Sequence, residues 1–255
     1  MIIKNAEQRA ALIEGGKRLV AVLEALRKMV APGVSAEELD DFAEKMIRDG
    51  GDTPAFLGYT PEGAQRAYPA TLCVSINDEV VHGIPNEGKK ILKEGDIVSL
   101  DLGLTHEGII VDAAITVAVG KTDAKSLALM RACDEALAAG IAAATPGGRV
   151  GDISAAIEKS FKGTGFSIVK ELGGHAVGER VHEEPFIANY GHAGTGEELV
   201  EGMVLALEPI ATLGKASVVL RPDGYTYATR DGSRASHSEH TILIEKGGAR
   251  VVTEA

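Results

Sequence analysis

Five residues with metal-binding side chains stand beside apolar segments or in a glycine-rich segment of the chain. Four are carboxylates and one is a histidine: Asp101, Asp112, His175, Glu208 and Glu239. Two divalent cations would neutralise the four negative charges, and the imidazole would add a neutral nitrogen ligand. This oxygen-rich set suits Mn(II), Fe(II), Co(II) or Zn(II) rather than a cysteine-rich structural zinc site. Two such ions bridged by carboxylates generate hydroxide and polarise a carbonyl group, so the predicted chemistry is hydrolysis.

Asp101 and Asp112 belong to a stretch, residues 99–116, that alternates apolar residues with small or polar ones around a turn signal. This alternation predicts a β-hairpin with one buried face. If His106 and Glu107 form the turn, the two aspartates stand directly opposite each other. Their charges would repel by roughly 3 kcal/mol at about 5 Å, more than the ~0.2–1 kcal/mol that a good cross-strand pair contributes. Protonation of one carboxyl or a cation between them would relieve the repulsion. A three-residue loop would instead send the side chains to opposite faces.

The other candidates have structural alternatives. Glu208 ends the apolar run 203–207 and Glu239 precedes the apolar run 240–244, where a buried carboxylate needs a partner, but each alone could be a salt-bridged surface residue. The glycine-punctuated segment 171–185 is predicted to be a loop, and His175 within it could simply hydrogen-bond that loop.

Three further side chains are ambiguous in the same way. His82 and His182 could also hydrogen-bond their own loops. Cys73 is predicted to be a small core residue rather than a nucleophile, because no basic residue is adjacent to it.

The elements that must position these residues occur twice in the same order. Apolar periodicity predicts helices over residues 7–30 and 122–144, each followed by Pro-Gly, and second helices over 35–48 and 152–162. A capping box of Ser35 and Glu38 opens the second helix of the first half. Shifting the chain by 114 residues aligns the two halves, about 1–120 and 121–255. We therefore predict one α+β domain over 1–255, with pseudo-two-fold halves, antiparallel sheets and helices on the outer face.

Composition excludes several classes of function. The chain has 255 residues and a net charge of −11, without a run of Lys and Arg, which argues against nucleic-acid binding. Cys73 and Cys133 are far apart in the sequence and form neither a CxxC metal site nor a disulfide framework. The protein is therefore expected in a reducing compartment. The first residues lack a signal-peptide core and no apolar run approaches membrane-spanning length. We expect a cytoplasmic monomer without membrane contact.

Several motifs, in order along nearly the whole chain, resemble those of the type I methionine aminopeptidases. They are residues 74–85, which end in His-Gly-Ile-Pro, residues 95–103, Asp112 with Thr116, Gly174-His175, residues 182–185 (His-Glu-Glu-Pro), Gly202-Met203, Glu208-Pro209, and residues 239–241 (Glu-His-Thr). The resemblance implies a pita-bread fold. It also implies removal of the initiator Met from nascent chains, favoured when the next residue is small. The implied partners are N-terminal Met peptides or nascent chains, with the ribosome a further candidate.

The resemblance also implies roles for individual residues. Asp101 would chelate one of two divalent ions, Asp112 and Glu239 would bridge both, and His175 with Glu208 would hold the other. Glu208 would relay a proton to the leaving amine. The remaining implied residues contact the substrate: His82 and His182 at its amide and at the tetrahedral intermediate, and Tyr68, Cys73 and Tyr225 around the Met side chain.

Some positions depart from the family pattern. Val181 replaces an aromatic residue, Tyr225 a Trp and Gln65 a Tyr, and Ala206-Leu207 stand where a Thr is usual before Glu208. These changes bear on specificity for Met rather than on the metal site. Two other functions stay open: an Xaa-Pro or other small-residue aminopeptidase of the same superfamily, and a non-catalytic scaffold that binds nascent chains or partner proteins.

Overall fold

The computed structural model describes residues 1–254; Ala255, the last residue of the predicted domain, lies outside the described residues. Within that range the helices are α1 (Ala6–Met29), α2 (Ala36–Asp49), α3 (Ala124–Ala143) and α4 (Val150–Phe161). The strands of the first half are β1 (Thr53–Pro54), β2 (Leu72–Ile76), β3 (Glu79–Val81), β4 (Ile97–His106) and β5 (Ile109–Ala118). Those of the second half are β6 (Ser167–Ile168), β7 (Gly173–Ala176), β8 (Glu183–Ala188), β9 (Val204–Leu207), β10 (Ile210–Thr212), β11 (Val218–Leu220), β12 (Tyr227–Thr229), β13 (Ala235–His237), β14 (Glu239–Glu245) and β15 (Gly248–Val251).

One antiparallel sheet connects the two halves of the chain. Its order is β1-β4-β5-β14-β9-β7-β8, with β2 beside β4 and β15 beside β14. The halves meet where β14 pairs with β5, so that Glu239 lies opposite Ala114. Helices α1 and α2 pack with the first-half strands in one core, and α3 and α4 pack in a second core. The predicted α+β class with antiparallel sheets is confirmed.

The start of α2 follows the predicted capping chemistry. The Ser35 side chain accepts from the backbone N–H of Glu38, and the Glu38 carboxylate accepts from that of Ser35, so the predicted capping box is present. All four helices begin and end within two residues of the predicted bounds. Within residues 1–254, none of them has the length and apolar character that a membrane span needs.

The predicted turn of the central hairpin was wrong by one position. Glu107 and Gly108 form the turn, with φ of 48° and 81°, and two successive positive φ angles are what a type I′ turn requires. Asp101 consequently pairs with Ala114, and Asp112 pairs with Gly103. The two aspartates are diagonal neighbours rather than directly opposite. A shift of two positions in the pairing preserves the face, so both side chains still point the same way.

Residues 171–185 contain two strands, and their prediction as a loop was wrong. β7 carries His175 and pairs with both β8 and β9. A Cβ on Gly174 would lie 2.3 Å from the carbonyl oxygen of Ala206, so this strand requires glycine in order to approach its neighbour. The glycines that suggested a loop are therefore part of the sheet.

Candidate metal centre

One cavity is lined by all ten of the predicted site residues. They are the carboxylates Asp101, Asp112, Glu208 and Glu239, the histidines His82, His175 and His182, and Tyr68, Cys73 and Tyr225. The five metal-ligand candidates come from five places in the main sheet: β4, β5, β7, the connection after β9, and the first position of β14. Folding thus brings together side chains that are up to 138 residues apart, from 101 to 239.

Three of the four carboxylates are buried, and no Lys or Arg side chain within residues 1–254 forms an ion pair with them. Asp101, Asp112 and Glu239 are 7, 3 and 3% exposed, and Oδ1 of both aspartates has no hydrogen-bond partner within residues 1–254. Burial raises the pKa of Asp101 to about 7. Burial, reinforced by the neighbouring carboxylates, raises the pKa of Asp112 and of Glu239 well above the usual range. Buried, unpaired carboxyl oxygens facing one cavity fit divalent cations.

His175 has the tautomer that a metal ligand needs. Its Nδ1 lies 3.0 Å from the carbonyl oxygen of Ala176, an acceptor, so Nδ1 carries the proton and donates it. The lone pair is then on Nε2, which lies 3.7 Å from Oε1 of Glu208. This backbone contact fixes both the ring orientation and the free nitrogen.

Glu208 lies in the connection between β9 and β10, directly after the apolar run that forms β9. Asn189 donates to its backbone carbonyl at 2.9 Å and so holds this connection. Burial alone would raise the pKa of Glu208, but His237, His175 and His182 lower it by more. The carboxylate is consequently ionised at neutral pH and can accept a proton.

His237 is a site residue that the sequence analysis missed. Its Nε2 lies 3.4 Å from Oε2 of Glu208 and 3.6 Å from Oε2 of Glu239. Burial lowers the pKa of His237, whereas Glu208 and Asp101 raise it by more, so that the net effect is a raised pKa. One signal was present in the sequence: His237 precedes Glu239 by two positions, and side chains two apart in an extended segment share a face.

The two predicted substrate histidines line the same cavity. Burial lowers the pKa of His82 to about 4, so this ring is neutral at physiological pH. The His182 ring is edge-on to that of His175, with centroids 4.6 Å apart. Nδ1 of His182 lies 3.1 Å from the hydroxyl oxygen of Tyr59, another residue that the sequence analysis missed.

An apolar wall lies next to the carboxylates. The rings of Tyr68 and Tyr225 meet edge to face with centroids 5.1 Å apart, and the Tyr68 hydroxyl donates to the carbonyl oxygen of Gly83 at 3.0 Å. Cys73 lies directly opposite Asp101 in the β2–β4 pairing. Burial raises the pKa of its thiol well above the usual value, which agrees with a core residue and argues against a thiolate nucleophile.

Of the four departures from the family pattern, two line the cavity and two do not. Val181 and Tyr225 contribute to the apolar wall. Gln65 is exposed and lies outside the set of residues that line the cavity. Ala206-Leu207 lie in β9, also outside the lining. Only the first two can therefore shape the pocket directly.

Comparisons with known proteins agree with this geometry. The chain is 43% identical over 256 aligned residues to methionine aminopeptidase 1 of Mycobacterium tuberculosis, covering 98% of this chain and 94% of that protein. It is 44% identical to methionine aminopeptidase of Aquifex aeolicus, covering 95% of each. The crystal structure of methionine aminopeptidase from Thermotoga maritima matches all of both chains with a TM-score of 0.94 at 40% identity.

A more distant similarity concerns the fold alone. Prolidase from Pyrococcus furiosus matches with a TM-score of 0.75 at 21% identity, and the match covers 66% of that enzyme. These structural matches confirm the predicted pita-bread fold. A sequence profile of Metallopeptidase family M24 matches residues 10–246, and this chain therefore belongs to that family.

Proposed function

We propose that this chain is a metal-dependent aminopeptidase that removes the N-terminal methionine from peptides and nascent proteins. The observation that carries the proposal is the convergence of the five predicted metal ligands on one cavity, beside an apolar wall. Membership of a metallopeptidase family supports the use of divalent metal. Relatives named methionine aminopeptidase, similar over nearly the whole chain, support the choice of substrate.

We assign two divalent ions, of Co, Mn, Fe or Zn, to the carboxylate cluster. Asp101 would hold one ion, and His175 with Glu208 the other. Asp112 and Glu239 would bridge both. The unpaired oxygens of the two aspartates and the free Nε2 of His175 support this assignment. Ions bound there would supply Lewis acidity for the scissile carbonyl and lower the pKa of a water molecule.

The protein's own groups bind the substrate and transfer protons. His82, neutral at physiological pH, can donate a hydrogen bond from one ring nitrogen to the substrate amide. His182 would contact the developing tetrahedral intermediate. Glu208, ionised because of its histidine neighbours, would accept a proton from water and pass it to the leaving amine.

The apolar wall would accept the Met side chain. Tyr68, Cys73 and Tyr225 are buried and pack in one cluster with Val181, so they present carbon and sulfur surface to the cavity. A flexible thioether makes favourable contacts with aromatic rings. A monomeric state, a cytoplasmic location and contact with the ribosome stay predictions.

A peptide cleavage assay on the metal-loaded protein tests this function. We expect release of Met from Met-Ala-Ser, loss of activity after chelation, and recovery when Mn(II) or Co(II) is returned. Asp101→Asn should abolish cleavage while leaving the circular dichroism spectrum unchanged. Cleavage of an Ala-Pro peptide in preference to Met-Ala-Ser would indicate an Xaa-Pro aminopeptidase instead. A metal content near zero, with peptide binding unaffected by Asp101→Asn, would indicate a non-catalytic scaffold.

A further inference from the structure

His237 is a buried imidazole that the ligand assignment above does not use. It is the last residue of β13 and is 1% exposed. Its Nε2 faces two candidate ligands, Glu208 at 3.4 Å and Glu239 at 3.6 Å. Neither ring nitrogen has a hydrogen-bond partner among residues 1–254. Burying a polar group without a hydrogen-bond partner is unfavourable, so a further partner for this imidazole is expected.

Both separations are long for a hydrogen bond, and the separation from Glu239 fits shared coordination of a cation. An N–H···O bond spans about 2.7–3.2 Å, which is shorter than either distance. Two ligand atoms at about 2.1 Å from one tetrahedral ion lie about 3.4 Å apart. Nε2 of His237 is therefore spaced from Oε2 of Glu239 much as two ligands of a common ion are, whereas Glu208 is assigned to the other ion.

We propose that His237 is a sixth metal-binding residue, which donates Nε2 at the position held by Asp101. This inference rests on the proposed function, because it assumes the metal centre. Ligand atoms of Asp101, His237 and Glu239 lie within 4.8 Å of one another, and so do those of Asp112, His175 and Glu239. Each of the two positions thus has one imidazole, and Glu239 belongs to both.

A second imidazole changes which metals the site prefers. Carboxylate ligands suit Mn(II), whereas imidazole suits Fe(II) and Zn(II), and affinity for nitrogen-containing sites rises from Mn(II) through Co(II). Because both positions have a nitrogen ligand, the protein should bind Co(II) more tightly than Mn(II) at both. Replacing His237 should reduce this difference at one position only.

Co(II) binding, measured by NMR and calorimetry, tests the inference without reference to activity. Protein labelled with 15N-histidine and loaded with CoCl2 should show two imidazole N–H signals with the large contact shifts of directly coordinated rings, one from His175 and one from His237; nearby uncoordinated rings give only smaller shifts. His237→Gln should retain only one of these signals. It should also weaken the binding of one of the two Co(II) ions by more than about 10-fold, because even residues that only orient a metal ligand change metal affinity by at least this factor.

His240→Gln is the matched control, because His240 is a nearby histidine with its own partner. Its Nδ1 lies 3.0 Å from the Thr253 hydroxyl, and this variant should retain both signals. A wild-type protein that binds two Co(II) ions and cleaves Met-Ala-Ser, yet shows a single shifted N–H signal, overturns the inference alone. A wild-type protein that binds no Co(II) overturns the proposed function as well. Since the wild type gives the deciding signal count, poor folding of His237→Gln would not obscure the result.

Discussion

The hydroxyl oxygen of Tyr59 lies 3.1 Å from Nδ1 of His182, across 123 residues of sequence. If the phenol donates this hydrogen bond, the His182 proton is on Nε2, and the ring is held in one orientation. Tyr59 is therefore a positioning residue for the His182 ring.

Tyr59→Phe should lower kcat for Met-Ala-Ser by about 10-fold with KM within about twofold, because the ring stays but its orientation is lost. Steady-state kinetics on the metal-loaded protein checks this split between kcat and KM. Tyr190→Phe, at an exposed tyrosine outside the cavity lining, should leave both constants unchanged. Equal kcat values for Tyr59→Phe and the wild type would mean that the contact has no role in turnover.

The Thr241 hydroxyl joins the two halves of the protein beside Asp112. It accepts from the backbone N–H of Asp112 at 2.9 Å and donates to the carbonyl oxygen of the same residue at 2.7 Å. Thr241→Val leaves both buried backbone groups unpaired and should lower the free energy of unfolding by about 2–4 kcal/mol, measured by urea denaturation. Thr241→Ser keeps the hydroxyl and should recover most of the loss. A valine variant as stable as the wild type would show that these bonds are not needed.

The sequence singled out residues that the structure brings to one cavity because their chemistry is unusual where they occur. Charged residues next to apolar strand segments, such as Glu239, are costly unless paired, and this cost marks them in any sequence. The capping box of α2 was predictable because Ser35 and Glu38 satisfy each other locally. Both inferences need only neighbouring residues.

Features that depend on distant contacts were not predictable in the same way. Nδ1 of His106 lies 2.7 Å from Oδ1 of Asp52, and this contact holds His106 within β4. The hairpin turn consequently begins one residue later than predicted. The glycines of β7 suggested a loop because the close approach of β9, which makes them necessary, is invisible in the sequence. His237 was missed because its approach to Glu208 depends on the pairing of β13 with β10, which the sequence does not reveal.

Asp40 should make the protein less stable as the pH rises. The carboxylate is 5% exposed and accepts the backbone N–H groups of Thr71 and Leu72, each at 2.9 Å. Burial, with help from the charges of Asp41 and Glu44, raises its pKa from 3.8 to about 6 despite these two bonds. A raised pKa in the folded state means that folding favours the protonated carboxyl. Its contribution to stability is therefore complete below pH 3.8 and is lost as the pH rises through about 6.

Comparison with Asp40→Asn isolates this contribution, because the amide keeps an acceptor oxygen but does not titrate. Between about pH 5 and about pH 8, the free energy of unfolding of the wild type should fall by about 1–1.5 kcal/mol relative to the variant. Urea denaturation at the two pH values, with the same metal content in both proteins, gives the difference. A difference that stays constant across this range would show that Asp40 is ionised throughout.

Gly174 fixes the distance between the strand that carries His175 and the strand that leads to Glu208. A Cβ at this position would lie 2.3 Å from the carbonyl oxygen of Ala206, which belongs to the rigid backbone of β9 and cannot rotate away. Gly174→Ala must therefore push β7 and β9 apart, and His175 would move with β7. We expect a loss of about 1–3 kcal/mol in the free energy of unfolding and weaker metal binding, measured by calorimetry.

Gly247→Ala is the control, since a Cβ there meets nothing within 4 Å, and it should change neither quantity. If Gly174→Ala lost stability but bound metal as the wild type does, the spacing of these strands would not set the position of His175.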